Sequence, residues 1–208
     1  MPISQVQQGL IVQQEFAKLV IMGSRGQIEL APPLTDDERR DYEIHVRGQY
    51  GFGLAIQVKS ALRLRKNIGG KARHLRIYFP VRATRVVNNP LYWYFLANLD
   101  TTLMRFANPV FLIPSTDFHK HAAPRRRGAF WHFAFAASME ADTRDHWHQF
   151  RVDTLELGGR VLQIMRDLRR RRDSLAERPT ELLSVPDLLW VHAAKRRSSR
   201  LQEHRRAA

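Results

Sequence analysis

A carboxylate, an amide and an ammonium group stand within two short apolar stretches of this sequence: Glu43 in YEIHV, and Gln57 and Lys59 in AIQVKS. Successive side chains of a β-strand point to opposite faces, so Gln57 and Lys59 share one face while Ile56 and Val58 share the other. Together, such groups can bind a cation and stabilise negative charge. The pattern therefore predicts a polar face that could bind a cation or stabilise negative charge, on an otherwise apolar strand pair.

The two stretches are predicted to form a β-hairpin over residues 41–60. Alternating apolar residues flank a turn centred on residues 48–51, which begins and ends with glycine. This arrangement is typical of a hairpin. Asp41 lies two residues before Glu43, so the two carboxylates are predicted to share a face of the first strand.

A helix predicted for residues 5–22 precedes the hairpin. Ser4 followed by Gln7 matches a capping box, which begins a helix. The apolar residues with helical spacing are Ile11, Val12, Phe16, Leu19 and Val20. Glu15 falls inside this stripe, so its carboxylate is predicted to point toward the interior. The alternative is a Glu at the edge of the stripe whose carboxylate reaches water.

The order of the remaining elements indicates the fold class. Apolar patterns predict further strands at residues 27–31, 75–79, 91–96, 110–113 and 131–137, and helices at 154–172 and 184–194. A helix, then several strands, then helices is an α/β or α+β pattern with one main mixed sheet flanked by helices. Residues 1–175 are expected to form the main domain, and residues 176–208 a C-terminal helix and basic tail.

Charge and composition narrow the classes of partner. The chain has 208 residues and a formal net charge of +14, from 34 Lys and Arg against 20 Asp and Glu. Such an excess favours a polyanion, with nucleic acid first and an anionic membrane surface second; a basic surface without a partner is the alternative. The absence of cysteine excludes disulfides and thiolate metal sites, and it agrees with a cytoplasmic location. No apolar run approaches the roughly 20 residues of a membrane span.

A basic segment follows the hairpin and is the first candidate for contacts with phosphates. It has two adjacent glycines at its centre, which suit a loop. A solvated turn is the alternative interpretation. The candidate residues for nucleic-acid binding are Arg63, Arg65, Lys66, Lys71 and Arg73.

Four histidines form two pairs with one residue between the members of each pair: His119 with His121, and His146 with His148. Metal ligands on strands use this spacing. Because there is no cysteine and no obvious third ligand, surface positions beside arginine-rich turns are favoured over a metal site.

The helix glutamate, the acidic strand and the strand that ends Gln57-Val58-Lys59-Ser60 together resemble the core of the PD-(D/E)XK nuclease superfamily. The similarity is greatest to the DUF4365-like group, whose members carry a QVKS or QVKT strand, and to the QxK variant of Mrr-like restriction enzymes. It covers residues 10–60 well and continues loosely to the strand at residue 110. It implies a restriction-endonuclease-like core.

The resemblance implies a metal-dependent endonuclease that cuts DNA, with Mg²⁺ or Mn²⁺ as the cofactor. Glu43 would be the principal metal ligand, with the Gln57 side-chain oxygen and the Val58 carbonyl as neutral ligands. Glu15 would be a further ligand or would orient a metal-bound water. Lys59 would steady the attacking water and the charge that grows on the phosphate. By the same analogy, double-stranded DNA is the expected partner and a homodimer the expected assembly.

The sequence departs from the family pattern at two positions. Glu43 stands where Asp is commoner, with Asp41 as an alternative, and Gln57 replaces a commoner acidic residue. Each change is expected to weaken metal binding. A nuclease-fold protein that binds nucleic acid or a partner protein without cutting is therefore the second hypothesis, and a basic RNA-associated protein without an active centre is the third.

Overall fold

The computed structural model describes residues 4–33, 40–66 and 73–176. In chain order the helices and strands are α1 (Gln5–Gly23), β1 (Ile28–Ala31), β2 (Tyr42–Val46), β3 (Gln49–Ala61), β4 (Arg65–Lys66), β5 (Arg73–Arg82), β6 (Tyr92–Asp100), β7 (Arg105–Phe106), β8 (Val110–Pro114), α2 (Ser115–His121), β9 (Arg125–Arg127), β10 (Phe130–Ser138), β11 (Arg151–Val152) and α3 (Leu157–Ala176).

The first helix begins at the predicted capping box. The Ser4 hydroxyl oxygen accepts the Gln7 backbone N–H, and the Gln7 side-chain oxygen accepts the Ser4 backbone N–H. These bonds satisfy backbone groups that the first turn of a helix leaves without partners. The helix predicted for residues 5–22 is therefore confirmed, with Val12, Phe16 and Val20 as its buried residues.

The larger sheet is mixed, as predicted. Its strand order is β1-β2-β3-β6-β8-β11, with β7 beside β6. The β3–β6 pair is parallel, whereas its other strand pairs are antiparallel. Helix α1 packs against one face of this sheet, where the Phe16 ring lies 4.8 Å from the Phe95 ring and 5.9 Å from the Tyr42 ring, centroid to centroid.

The hairpin is confirmed, but its turn is shorter than predicted. Strands β2 and β3 are joined by Arg47 and Gly48 alone, and Gly48 has a φ of +75°. This backbone conformation suits glycine because a side chain would be strained there. Residues 49–51, predicted to belong to the turn, are the first residues of β3, and the register shifts between His45 and Val46.

A second sheet was not predicted. Its strand order is β4-β5-β10-β9, and all its strand pairs are antiparallel. The strand predicted to end at Pro80 continues to Arg82, with Pro80 opposite His132 of β10. Strand β4 pairs with Arg73 and His74, at the other end of β5 from Pro80, and proline is tolerated at edge positions of a sheet.

An aromatic core lies between this smaller sheet and the larger one. Phe118 of α2 is completely buried, and its ring lies 5.8 Å from that of Phe79 and 5.7 Å from that of Phe133. Tyr94 of the larger sheet packs against the same group at 4.3 Å from Phe118. Apolar positions that alternate along β5 and β10 face this core, while the intervening residues face outward.

The chain divides into two compact units, one that ends at Arg166 and one that begins at Asp167. Both sheets belong to the first unit. Helix α3 begins at Leu157, close to the start of the helix predicted for residues 154–172. The predicted helix at residues 184–194 and the basic tail lie outside the described residues, so the C-terminal segment 176–208 stays a prediction.

Candidate functional site

The structure brings the polar residues of the hairpin onto one face of the larger sheet, as the alternation predicted. Tyr42 pairs with Ile56 and Glu43 with Ala55 across the β2–β3 pair. Directly opposite residues share a face, so Glu43 and Ala55 lie on the same side as Gln57. This side faces the smaller sheet, because Ala55 packs against the aromatic core.

Gln57 and Lys59 both enter the space between the two sheets. Gln57 is buried, with 4% of its surface exposed. The Lys59 ammonium lies 6.0 Å from the centre of the Phe79 ring, and the lysine is half-buried. A lysine held near an aromatic face and away from bulk water keeps a defined position for its charge.

Asp41 directly precedes the first residue of β2. It lies beside the part of β3 that extends beyond its pairing with β2. The Val58 backbone N–H donates to Asp41 Oδ2 at 2.6 Å, and Gln13 Nε2 of α1 donates to Asp41 Oδ1 at 2.6 Å. The N–H and C=O groups of one strand residue point to the same side, so the Val58 carbonyl also faces this edge. Burial, and secondly the Asp41 carboxylate, raises the pKa of the neighbouring Tyr42 hydroxyl above its ordinary value.

Further along the same edge, α1 forms a second set of hydrogen bonds, directly with β3. Gln8 Nε2 donates to the Ser60 hydroxyl oxygen at 2.9 Å and to the Ser60 carbonyl at 3.3 Å. Two glutamines of the helix therefore reach the strand edge, one directly and one through Asp41. We call Gln8, Gln13, Asp41, Val58 and Ser60 the β3 edge cluster.

Glu43 is held by two basic side chains. Its carboxylate lies 3.2 Å from Arg40 Nη1 and 3.3 Å from His45 Nε2. Its side chain lies over Gly53, where an added Cβ would be 2.8 Å from Glu43 Oε1, so a side chain at position 53 would require Glu43 and His45 to shift. His45 Nδ1 is buried without a hydrogen-bond partner among the described residues. Glu43 thus belongs to a charge-balanced group beside the β3 edge cluster.

Glu15 lies on the helix that covers the opposite face of the sheet from Gln57. Its carboxylate forms an ion pair with Lys18 of the same helix, and 11% of its side chain is exposed. Each helical residue turns by roughly 100°, which places Glu15 and Gln13 on opposite flanks of the stripe centred on Val12 and Phe16. Gln8, seven residues before Glu15 and on nearly the same side of the helix, contacts Ser60. The role of Glu15 as a metal ligand stays a prediction.

The described donor set suits a hard cation. A carboxylate oxygen of Asp41, the Gln57 amide oxygen and the Val58 carbonyl are the oxygen ligands that Mg²⁺ prefers, and Mg²⁺ needs only one or two carboxylates because it keeps several waters. The Asp41 oxygens each accept one of the hydrogen bonds above, and a carboxylate oxygen can accept more than one bond. Within residues 4–33, 40–66 and 73–176, no group of three or more His, Cys, Asp and Glu residues is placed to hold a metal ion.

The predicted basic segment is exposed where the structure describes it. Arg63 precedes β4, Arg65 and Lys66 form β4, and Arg73 begins β5 beside Glu140, at 3.9 Å from its carboxylate. Lys71 lies outside the described residues. Contact of these residues with nucleic acid stays a prediction.

Sequence reasoning missed the partners that surround the hairpin. Arg40 and His45 flank Glu43 in sequence, and their basic character beside an acidic strand residue was a usable signal. Gln8 and Gln13 were not recognisable, because a polar residue beside a buried stripe is ordinary on a helix surface.

The paired histidines lie on a helix and in a loop, not on strands. His121 and His146 are in ring contact, with centroids 3.7 Å apart. His119 is half-buried, contrary to the expected surface position, because α2 turns it toward the core: its Nε2 lies 2.9 Å from the Tyr94 hydroxyl and its ring stacks on Phe133. Burial lowers the pKa of His119 from 6.5 to about 4.

The His119 pKa predicts loss of stability in mild acid. Between pH 6.5 and about pH 4, the unfolded chain binds a proton that folded His119 refuses, so the free energy of unfolding falls as the pH falls. His119→Gln keeps a hydrogen-bond partner for Tyr94. Between about pH 7 and pH 4.5, we expect the free energy of unfolding of this variant to fall by roughly 1–2 kcal/mol less than that of wild type. The difference is reduced because His119 is partly exposed to water. Denaturant unfolding at both pH values measures this. Equal pH dependence of both proteins would show that His119 is not responsible.

None of the helices in the described residues combines the length and apolar character that crossing a bilayer requires.

Comparisons with known proteins found a likeness to solved structures. No protein-family model matches the chain, and no curated protein matches it. Among solved structures, the chain is similar to a bacterial homing endonuclease, I-Ssp6803I, with 19% sequence identity and a TM-score of 0.47, over 81% of this chain and 98% of that chain.

Proposed function

We propose that this chain is a metal-dependent nuclease that hydrolyses phosphodiester bonds of DNA, with its reacting centre at the β3 edge beside Gln57 and Lys59. The observation that supports it most is the hydrogen bond from the Val58 N–H to Asp41. It holds a carboxylate against the middle residue of the Gln57-Val58-Lys59 sequence at 2.6 Å. The resemblance of that sequence to the QxK nucleases supplies the reaction class.

The proposal gives Asp41 the role that the sequence predicted for Glu43. Glu43 is already paired with Arg40 and lies 3.3 Å from His45 Nε2, whereas Asp41 shares the strand edge with the Val58 carbonyl. Asp41, the Val58 carbonyl and the Gln57 amide oxygen would hold Mg²⁺ or Mn²⁺. The chemistry that such an ion would supply is polarisation of the phosphate and a lower pKa for a bound water.

The other groups of the proposed site stabilise charge on the phosphate or position the Asp41 carboxylate. Lys59 places a positive charge two residues from Gln57 on the same face of β3, where it would stabilise charge that grows on the phosphate oxygens. Gln13 fixes the orientation of the Asp41 carboxylate by its hydrogen bond to Oδ1. Glu15 is not assigned to the metal, because its carboxylate pairs with Lys18 of the same helix.

One observation favours a second function, a nuclease-fold protein that binds nucleic acid without cutting it. The Glu43 carboxylate is neutralised by neighbouring side chains, and Gln57 carries no charge. That leaves Asp41 as the single carboxylate assigned to the metal, which lowers the expected affinity for the ion.

Incubation with supercoiled plasmid separates the two functions. With Mg²⁺ or Mn²⁺, the proposed nuclease converts the plasmid to nicked and linear forms, and a chelator abolishes this conversion because the ion is required. The purified chain should be tested over a range of salt concentrations, since basic proteins bind DNA more weakly at high salt. Intact plasmid with both metals at every salt concentration would reject the nuclease and favour the binding protein.

A further inference from the structure

The smaller sheet has an outer face that the described elements leave exposed. Residues 75, 77, 79 and 81 of β5 face the aromatic core, so the residues between them face outward. On β10, the register places Ala134 opposite Tyr78 and His132 opposite Pro80. We call this surface the outer face: it contains Arg65, His74, Arg76, Tyr78, Pro80, Arg82, Arg125, Arg127, Phe130, His132, Ala134 and Ala136.

The charged residues of the outer face are all basic. None of the residues of β4, β5, β9 and β10 is acidic. Its exposed arginines occupy both ends of the sheet, with Arg65 and Arg76 toward one end and the others toward the opposite end: Arg82, Arg125 and Arg127. Six residues of a strand separate Arg76 from Arg82, a span of roughly 20 Å. A polyanion laid along β5 would meet arginines at each end.

Aromatic rings lie between these arginines. Tyr78 is 60% exposed, and its hydroxyl is hydrogen-bonded to Nδ1 of His132. The planes of the two rings differ by 27° and their centroids are 5.6 Å apart. The two rings therefore contact each other, and Tyr78 stays largely exposed on the outer face. At the far end, the Arg82 guanidinium lies 5.8 Å from the centre of the Phe130 ring.

We propose that the outer face binds single-stranded DNA, with unpaired bases stacked on Tyr78 and His132 and phosphates paired with the arginines at both ends. A duplex buries the faces of its bases and presents only edges and phosphates, so exposed flat rings serve a single strand better. Exposed Ala134 and Ala136 beside Tyr78 leave room for a base. The proposal goes beyond nuclease activity, and only the choice of DNA over RNA rests on the proposed function.

Binding is measured by fluorescence anisotropy, with the full chain and a labelled oligothymidine of about 15 nucleotides, within the site sizes of single-strand binders. A chelator is present throughout, so that a failure to cut DNA has no influence on the result. We expect tighter binding to the oligothymidine than to a duplex of the same length or to oligouridine at matched salt. Tyr78→Ala should weaken oligothymidine binding about tenfold and leave duplex binding unchanged.

Matched variants separate stacking from charge. Leu103→Ala removes a side chain of similar exposure, 57%, outside the smaller sheet and should bind like wild type. Arg127→Gln should weaken binding and flatten its salt dependence, whereas Arg105→Gln, at an exposed position on the larger sheet, should do so less. Tighter binding to duplex or to oligouridine, or a Tyr78→Ala variant that binds like Leu103→Ala, overturns the proposal. Thermal unfolding confirms that each variant is folded.

Discussion

Replacing Lys59 by alanine is expected to reduce metal-dependent DNA cleavage about a hundredfold or more, while binding of DNA in a chelator stays nearly unchanged. The reason is that the ammonium lies in a half-buried position near Phe79, where a fixed charge stabilises a developing anion better than it does in water. A loss of a hundredfold corresponds to about 2.7 kcal/mol of transition-state stabilisation. The initial rate of plasmid nicking measures it.

The control for Lys59 is Lys120→Ala, which removes an exposed lysine from α2 and should cut like wild type. Because the Lys59 stem also contacts apolar surface, the variant needs a thermal unfolding measurement to show that it retains the fold. Cleavage by a folded Lys59→Ala protein at the wild-type rate would remove Lys59 from the reacting centre. Equal loss in the Lys120 variant would indicate a general effect of charge.

The hairpin and the first helix were predictable because their signals are local. Alternation along β2 and β3 depends only on neighbouring residues, and the Ser4–Gln7 capping box spans a single helical turn. The prediction that Gln57 and Lys59 share a face with Glu43 followed from the same alternation. These parts of the fold do not require knowledge of which distant segments meet.

The second sheet depends on distant segments. Strand β9 is the run Arg125–Arg127, which has no apolar alternation and is a strand only because it pairs with Phe130–His132 beyond a turn at Gly128. Pairing of β5 with β10 joins residues more than 45 positions apart along the chain. Pattern reasoning identified most of both strands but had no means to separate them from the larger sheet.

The same difference between local signals and contacts of distant segments explains why Glu43 was predicted as the acidic residue of the site. Glu43 was predicted because it stands inside the alternating stretch, whereas Asp41 lies just before β2. The contacts of Asp41 with Val58 and Gln13 require β3 to extend beyond its pairing with Tyr42, the first residue of β2. They also require α1 to lie against that edge of β3. Strand length and helix placement are tertiary properties, so the sequence offered Asp41 only as an alternative.

The choice between the two acids predicts the other large effect. Asp41→Asn should lower the cleavage rate at least about a hundredfold and weaken Mn²⁺ binding in calorimetric titration, because it removes the charge assigned to the ion while its side-chain oxygen can still accept the Val58 N–H. Glu43→Gln, a matched change two residues away, should alter both quantities less than about fivefold, because that carboxylate is already paired with Arg40. The reverse order of effects would return the metal to Glu43. If neither variant changed Mn²⁺ binding, neither acid would hold the ion, and the chain would be better described by nucleic-acid binding alone.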